Sequence, residues 1–300
     1  MKKAIEVKEL KKYFKNVKAV DGITFDVEWG EFFALLGPNG AGKSTTIRML
    51  TTLAVPTSGQ ALVAGYDVVK DEREVRKRIG LVSDRLILYD RLTVLENIVF
   101  FSSFYNLSKS EIYKRAEELL HLLDMWDWRN TRVSKLSTGM RQKVNIARAL
   151  VPQPDILFLD EPTLGLDPHT TKKIREFIKE LNKKGKTIIL TTHILHEVEL
   201  LADRVAIMNK GKIVALDTTR NLKRFFKEKE IVEMEYEGNL TNLCCASVIE
   251  SINGYIKVEV QDLKKFLSDL SQKDVKILSM KTYEPSLEDI FVSLTGGEEK

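Results

Sequence analysis

The sequence predicts an α/β fold followed by a small α+β domain, and three features of the 300-residue chain indicate this. In the first 220 residues, apolar segments typical of buried strands alternate with loops and amphipathic helical segments. From about residue 93 to residue 150 the strands disappear, which indicates a helical insert. From residue 221 onwards, apolar and polar residues alternate with a period of two. We therefore expect one domain over residues 1–220, with a helical subdomain at about 93–150, and a second over 221–300.

The composition excludes several classes of protein. The chain is 43% hydrophobic and 30% charged, and its formal net charge of +4 is small for this length, so nucleic acid is not expected as a partner. No run approaches the roughly 18 apolar residues of a membrane-spanning helix, and no signal sequence follows Met1. Cys244 and Cys245 are adjacent, without zinc-site spacing or distant partners, which suits a reducing compartment. We therefore expect a cytoplasmic protein.

A glycine-rich phosphate-binding pattern lies between a predicted strand and a predicted helix. The apolar run Phe32–Leu36 precedes residues 37–44, which fit G-x-x-x-x-G-K-[ST], and a helical segment follows. Backbone N–H groups of such a loop cradle phosphates, Lys43 supplies a positive charge, and the Ser44 hydroxyl suits Mg²⁺. The predicted nucleotide site comprises Gly37, Pro38, Asn39, Gly40, Ala41, Gly42, Lys43, Ser44 and Thr45.

Two acidic residues end a second apolar strand. Asp160 and Glu161 follow the aliphatic run Ile156–Leu159. Paired acids can also belong to a solvent-exposed rim, but a continuous aliphatic run is typical of a central strand. Asp160 is therefore a candidate metal ligand, and Glu161 a candidate base for an attacking water.

The order of the motifs along the chain resembles the ATP-binding cassette (ABC) family. Leu136–Met140 (LSTGM) precedes a helical stretch, Gly165–Asp167 follows the acidic pair, and the apolar strand Thr187–Thr192 leads to His193. This is the family's order of Walker A, signature, Walker B with its glutamate, D-loop and switch histidine, and it covers about residues 7–217. The resemblance implies a P-loop NTPase fold, ATP and Mg²⁺ as cofactors, and ATP hydrolysis.

The resemblance also implies roles for His193 and Tyr13 near the nucleotide, and His196 offers an alternative to the first of them. His193 would be the switch histidine that contacts the γ-phosphate and positions the attacking water. His196, one helical turn later, could form a metal pair with it, although no third ligand lies nearby in sequence. Tyr13 lies where the family carries an aromatic residue that stacks on adenine, and Phe14 is the neighbouring alternative.

The signature motif implies a dimer. In the family, each ATP is held between Walker A of one copy and the signature of a second, arranged head to tail. Ser137 and the N–H group of Gly139 would supply this second anion site, and Asp167 would reach across the same interface. We expect a homodimer or a heterodimer with a paralogous ATPase.

The chain departs from the family's pattern at two places. The signature reads LSTGM instead of the commoner LSGGQ, which changes the residues at positions 138 and 140. Asp84 stands where the family places a glutamine that contacts Mg²⁺ and links the site to the membrane partner. Asp84 is therefore a candidate metal ligand, and the alternative is that it faces solvent and Arg85.

Several segments look like the ATPase subunits of ABC-2-type exporters: the LSTGM signature, Leu88–Thr93 and Glu284–Phe291. This resemblance implies a separately encoded integral-membrane permease and a location on the cytoplasmic side of the membrane. The transported substrate is chosen by that permease and cannot be deduced from this sequence. One alternative is a soluble ABC ATPase acting on ribosomes or DNA, although such proteins carry two cassettes or long coiled coils. The other is an importer ATPase, which more often has a longer β-rich tail.

Overall fold

The computed structural model describes residues 3–83, 87–225, 230–238, 240, 243–273, 275–283 and 287–295. By its internal contacts the chain divides into two compact units, Met1–Leu216 and Asp217–Lys300. The domain boundary expected at residue 220 stays a prediction about independent folding. In the part of the chain described, none of the helices combines the length and apolarity needed to cross a bilayer.

The first unit alternates strands and helices, as the sequence predicts. The strands that begin in it are β1 (Ile5–Phe14), β2 (Val17–Val27), β3 (Phe32–Leu36), β4 (Ser58–Val63), β5 (Tyr66–Asp67), β6 (Ile79–Val82), β7 (Ile156–Asp160), β8 (Thr187–Thr192), β9 (Arg204–Asn209) and β10 (Lys212–Thr218). The helices are α1 (Lys43–Leu50), α2 (Glu72–Arg78), α3 (Val94–Ser102), α4 (Lys109–Leu122), α5 (Thr138–Leu150), α6 (Pro168–Lys183) and α7 (Leu195–Leu201).

A six-stranded sheet in the order β10-β9-β3-β8-β7-β6 forms the centre of the first unit. β3 pairs in parallel with β8 and β9, and β7 pairs in parallel with β6 and β8. Every residue of β3, β7 and β8 is buried, as expected for strands covered on both faces. Because parallel strands end at the same edge, the loops that follow these three strands lie together.

A second sheet in the order β2-β1-β4-β5 packs on the same core. β1 pairs antiparallel with both β2 and β4, and its pairing with β2 is interrupted by three register shifts. Phe25 of β2 stacks on Phe33 of β3 with ring centroids 5.2 Å apart. Buried side chains of β1, β2 and α1 share one hydrophobic cluster with those of the central strands.

The helical insert lies between β6 and β7 and consists mainly of α3, α4 and α5. Ser108 and Glu111 form a capping box at the start of α4, and Thr93 and Glu96 form another at the start of α3. Each box satisfies N–H groups that the first turn of a helix leaves unpaired. The three helices bury one face against β7 and β8 in a second hydrophobic cluster.

The second unit is α+β. Its elements are α8 (Thr219–Phe225), β11 (Glu230–Gly238), β12 (Ala246–Ile252), β13 (Tyr255–Val260), α9 (Leu263–Leu270), β14 (Val275–Tyr283) and α10 (Leu287–Thr295). The strands form an antiparallel sheet in the order β12-β13-β11-β14. A turn at Asn253-Gly254 joins β12 to β13, with Gly254 at φ +76°. Phe266 and Leu270 of α9 are buried in a cluster with apolar residues of β11 and β13.

Candidate functional site

A cleft of about 680 Å³ lies over the glycine-rich loop at the carboxyl end of β3. The loops after β3, β7 and β8 contribute to its walls, as the parallel sheet requires. Its lining residues are Phe14, Val17, Lys18, Ala19, Asn39, Gly40, Ala41, Gly42, Lys43, Ser44, Thr45, Glu161, Leu164, His193 and Lys210. The structure therefore brings the predicted phosphate loop, Glu161 and His193 into one site.

Two glycines of the loop have no room for a side chain. A Cβ atom at Gly37 would lie 2.4 Å from the carbonyl oxygen of Met208. Gly42 has φ +104°, and a Cβ atom there would lie 2.4 Å from the carbonyl oxygen of Ala19. The loop therefore packs directly against the backbone of β2 and β9, with α1 starting at its end. The N-terminal end of α1 consequently faces the cleft, where it favours an anion.

Lys43 is buried among oxygen atoms at the floor of this cleft. Its side chain is 6% exposed, and Nζ donates to the carbonyl oxygens of Gly37 at 2.7 Å and Pro38 at 3.2 Å. Nζ also lies 3.5 Å from Glu161 Oε1. Burial lowers the pKa of Lys43, and the neighbouring carboxylates of Glu161 and Asp160 oppose this effect. The ammonium group is thus held by the loop that would bind phosphate.

Asp160 and Ser44 place two hard oxygen atoms side by side. Ser44 Oγ donates to Asp160 Oδ1 at 3.0 Å, and Thr191 Oγ1 donates to the same carboxylate oxygen. Asp160 is 2% exposed, so its orientation is fixed by these hydroxyl groups. Hydroxyl and carboxylate oxygens are the ligands that Mg²⁺ prefers, so the residues present fit this ion.

Glu161 lies between two basic residues of the cleft, Lys43 and His193. Its Oε2 atom lies 3.0 Å from Nδ1 of His193, opposite the Oε1 atom that faces Lys43. Its backbone is in the left-handed region at φ +49°, and its N–H group donates to the carbonyl oxygen of Thr191 at 3.1 Å. A non-glycine residue pays about 1–3 kcal/mol for such a conformation, and such residues cluster at functional sites. The Glu161 carboxylate is therefore held at one place in the cleft.

A buried carboxylate outside the cleft links the two loops that carry Glu161 and His193. Glu197 of α7 is 1% exposed. It accepts hydrogen bonds from Thr163 Oγ1, from Thr192 Oγ1 at 2.9 Å and from Arg175 Nε at 3.0 Å. Thr163 lies two residues after Glu161, and Thr192 precedes His193. Sequence reasoning does not identify Glu197, and the one signal available is an acidic residue one helical turn after the histidine.

Phe14, and not Tyr13, is the aromatic residue that lines the cleft. Phe14 is 50% exposed, and Lys12 Nζ lies 4.9 Å from its ring centroid. The hydroxyl group of Tyr13 instead donates to Asp21 Oδ1 at 2.6 Å, which raises the pKa of Tyr13. Tyr13 therefore does not line the cleft over the phosphate loop.

The signature residues and Asp167 do not line this cleft. Ser137 is exposed and caps α5, since its hydroxyl accepts the N–H of Met140 at 3.3 Å. Asp167 caps α6 by accepting the N–H of Thr170 at 2.9 Å. Gly139 lies close to the same threonine, because a Cβ atom there would be 2.9 Å from Thr170 Cγ2. The remaining candidate, Asp84, lies outside the described residues.

A second cavity of about 570 Å³ opens between the central sheet and the helical insert. Its walls are mainly apolar and aromatic, with basic residues at the rim. They include Leu53, Arg73, Arg76, Lys77, Gly80, Leu81, Ser83, Ile87, Phe101, Phe104, Tyr105, Asn106, Arg148 and Ala149. Phe104 is 72% exposed, and Phe100 packs edge-on against it and against Tyr89. An exposed aromatic patch of this kind is typical of a surface that binds another protein.

Comparisons with known proteins agree with this geometry. A family profile described as "ABC transporter" matches residues 20–164. The linearmycin resistance ATP-binding protein LnrL of Bacillus subtilis (strain 168) is 34% identical, covering 97% of this chain and 98% of that protein. The Nod factor export ATP-binding protein I of Rhizobium sp. (strain N33) is 37% identical, covering 99% and 98%. Among solved structures, a dimeric post-hydrolysis state of an ATP-binding cassette bound to ADP and Pi has a TM-score of 0.66 and 30% identity, covering 71% and 98%. These likenesses confirm the predicted fold class.

Proposed function

From the premise that the chain belongs to the ABC transporter family, we propose that it is the ATPase subunit of an ABC-2-type exporter. In this proposal it works through a separately encoded membrane permease, at the cytoplasmic face of the membrane. The observation that carries the ATPase chemistry is Glu161, held between Lys43 and His193 at the carboxyl edge of the sheet. Relatives whose names describe drug resistance or export support the transport role over an action on ribosomes or DNA.

The cleft suits hydrolysis of the γ-phosphate of ATP. The loop N–H groups, Lys43 and the start of α1 would bind the phosphates, and Ser44 and Asp160 would hold Mg²⁺. When bound, Mg²⁺ would supply positive charge beside the phosphate oxygens. Glu161 would accept a proton from the water that attacks phosphorus while the bond to ADP breaks, and His193 would orient that water. General-base catalysis of this kind contributes about 10²–10⁴ in rate, or about 3–5 kcal/mol.

Phe14 is the aromatic residue that we propose for adenine. It is half-exposed at the mouth of the cleft, on the same side as Lys18 and the phosphate loop. Stacking on a base contributes about 1–3 kcal/mol per aromatic residue. Tyr13, whose hydroxyl is held by Asp21, would act by supporting the strand that carries Phe14.

A second copy of the chain, or a paralogue, would complete each site. Ser137 and Asp167 are both exposed, and each caps the start of a helix. Both lie outside the cleft of their own chain. A head-to-tail dimer would bring Ser137 and the N–H of Gly139 to the phosphates bound by the other copy. The similar cassettes solved as dimers support this arrangement.

The cavity beside the helical insert is the surface that we propose for the permease. Its apolar walls, basic rim and exposed Phe104 suit an amphipathic cytoplasmic segment of a membrane protein. Phe104→Asp is expected to prevent co-purification with the permease while basal ATPase activity is retained. Leu122→Asp, at a residue 62% exposed on α4 and outside this cavity, is the matched control. Equal loss of the complex in both variants would contradict the assignment.

Glu161→Gln tests the ATPase proposal, because it keeps the size of the side chain but removes the base. We expect kcat to fall about 10²- to 10⁴-fold, with ATP binding retained and the ATP-bound dimer accumulating in size exclusion with Mg·ATP. Glu176→Gln makes the same chemical change at an exposed residue of α6 and should behave as wild type. Turnover near the wild-type rate in Glu161→Gln would remove Glu161 from its role.

A further inference from the structure

The two cysteines of the second unit touch each other. The Sγ atoms of Cys244 and Cys245 are 3.2 Å apart, and neither cysteine forms a disulfide. These are the only two cysteines of the chain. The Cys244 thiol is exposed, and that of Cys245 is partly buried. Any thiol chemistry of this protein therefore takes place at this one pair.

Contact between adjacent side chains requires an unusual backbone. Neighbouring side chains of an extended strand point to opposite faces of the sheet and do not meet. Here Cys245, immediately before β12, has φ +58°, a value rare for a residue with a side chain. The left-handed residue turns the chain, so both thiols lie on the same side.

Hydrogen bonds hold this turn on both sides. The N–H of Cys244 donates to Asp269 Oδ2 of α9 at 3.0 Å. The carbonyl oxygen of Cys245 accepts the N–H of Gln261 at 3.0 Å, directly after β13. The contact between the two sulfur atoms is therefore fixed by two neighbouring elements of the second unit.

We propose that Cys244 and Cys245 form a thiol–disulfide exchange site that reacts with small-molecule disulfides. The more exposed Cys244, as its thiolate, attacks one sulfur of the small disulfide, whose S–S bond breaks and releases one thiol. The Cys245 thiolate then attacks Sγ of Cys244 in the mixed disulfide. This step forms the Cys244–Cys245 bond and releases the second small thiol. The pair loses two electrons and two protons, and the small disulfide gains both.

The same geometry makes the closed form easy to reopen. Adjacent Cα atoms are about 3.8 Å apart across a trans peptide, less than the roughly 4.4–6.8 Å of ordinary disulfides. A bond closed within this ring is strained, and strained disulfides are the labile ones. The hydrogen bond that the Cys244 thiol shares with Cys245 raises the pKa of Cys244, Asp269 adds to the effect, and Lys265 opposes it. The first step therefore accelerates as the pH rises.

Oxidised glutathione is the probe for the test. The reduced full-length protein is incubated with it, quenched with acid, and measured by intact mass under denaturing conditions. We expect the chain to lose two hydrogen atoms without gaining a glutathione adduct or a cross-linked dimer. Closure should be at least about tenfold faster in the folded protein than in the same protein unfolded in urea, because folding positions the sulfurs. Equal rates would overturn the proposal.

Two single substitutions separate the two steps. Cys245→Ser removes the second thiol, so the glutathione adduct on Cys244 should persist. Cys244→Ser leaves the partly buried Cys245 thiol. This thiol should react more slowly with the probe than the Cys244 thiol does in Cys245→Ser. In the wild type, a lasting adduct, a disulfide-linked dimer or no reaction would each overturn the proposal. Rapid reopening by reduced glutathione is the further expected result, and resistance to it would contradict the strained ring.

Discussion

Replacing Glu197 should destabilise the first unit by an amount that follows from its contacts. The carboxylate is 1% exposed and accepts two hydroxyl hydrogen bonds and one from Arg175. Removing one partner of a buried ion pair costs about 3–5 kcal/mol, so we expect Glu197→Ala, which leaves Arg175 and two hydroxyl groups without their acceptor, to destabilise the unit by that amount. Glu197→Gln retains the volume and part of the bonding, so we expect about 1–2 kcal/mol.

Urea unfolding followed by tryptophan fluorescence measures this change in the free energy of unfolding. The three tryptophans, Trp29, Trp126 and Trp128, all lie in the first unit, so the signal reports that unit. Combining Glu197→Gln with Arg175→Met gives a double-mutant cycle. We expect the two changes to be non-additive by about 1 kcal/mol, because they remove the same ion pair.

Glu197 should also affect turnover, because it ties the loop of Glu161 to the residue before His193. It does not line the cleft, so we expect kcat to fall while KM for ATP stays unchanged. Ile174→Ala is the matched control, since it removes a buried side chain of α6 at a comparable cost of about 2–5 kcal/mol. An equal fall of kcat in that control, or a cost below 1 kcal/mol for Glu197→Ala, would refute the reasoning.

Three further predictions concern the nucleotide site. Phe14→Ala should weaken ATP binding about tenfold through lost stacking, whereas Tyr13→Phe should leave it unchanged in calorimetry; the reverse order would return the adenine contact to Tyr13. Inactive Lys43→Ala and Ser137→Arg chains should recover ATPase activity when mixed, because their heterodimer retains one complete site, and heterodimers without activity would argue against shared sites. Asp84→Asn should weaken the Mg²⁺ dependence of turnover and Asp84→Gln should not; superimposable Mg²⁺ titrations of both variants and wild type would exclude Asp84 from the metal.

The core of the site could be predicted because buried parallel strands are continuous apolar runs in sequence. β3, β7 and β8 each end at a polar motif, and the same edge of the sheet collects Lys43, Asp160 and His193. The phosphate loop and the acidic pair therefore follow from the apolar runs and motifs, whereas the role of His193 is implied by the resemblance to the ABC family.

The aromatic residue at the cleft could not be predicted, because the side-chain alternation of β1 is broken. The pairing of β1 with β2 shifts register between Lys12 and Tyr13, among other places. Each shift changes which residues face which side, so counting by twos along the strand does not distinguish Tyr13 from Phe14. The antiparallel sheet that contains β1 is likewise not evident from the strand–helix pattern.

Glu197 and the cysteine pair depend on contacts that sequence patterns do not encode. The partners of Glu197 come from α6, from the loop after β7 and from the end of β8, and an acidic residue in a short helix ordinarily faces solvent. Cys244 meets Cys245 only because of one left-handed residue. Both features need backbone geometry that the residue types leave undetermined.

The strand order of the central sheet limits how this chain can fold while it is being synthesised. The parallel partner β8 begins about 150 residues after β3. At about 5–20 residues per second, the ribosome needs about 8–30 s to deliver it. During that interval the apolar segment Phe32–Leu36 has no parallel neighbour on either side.

The antiparallel sheet has no such delay. β1, β2 and β4 lie within residues 5–63 and can pair soon after they emerge from the ribosome. This early sheet can cover one face of β3, but the edges of that strand remain open to other nascent chains. The yield of soluble protein should therefore depend on translation speed and on chaperones that shield this strand until β8 and β9 have emerged, at residue 209.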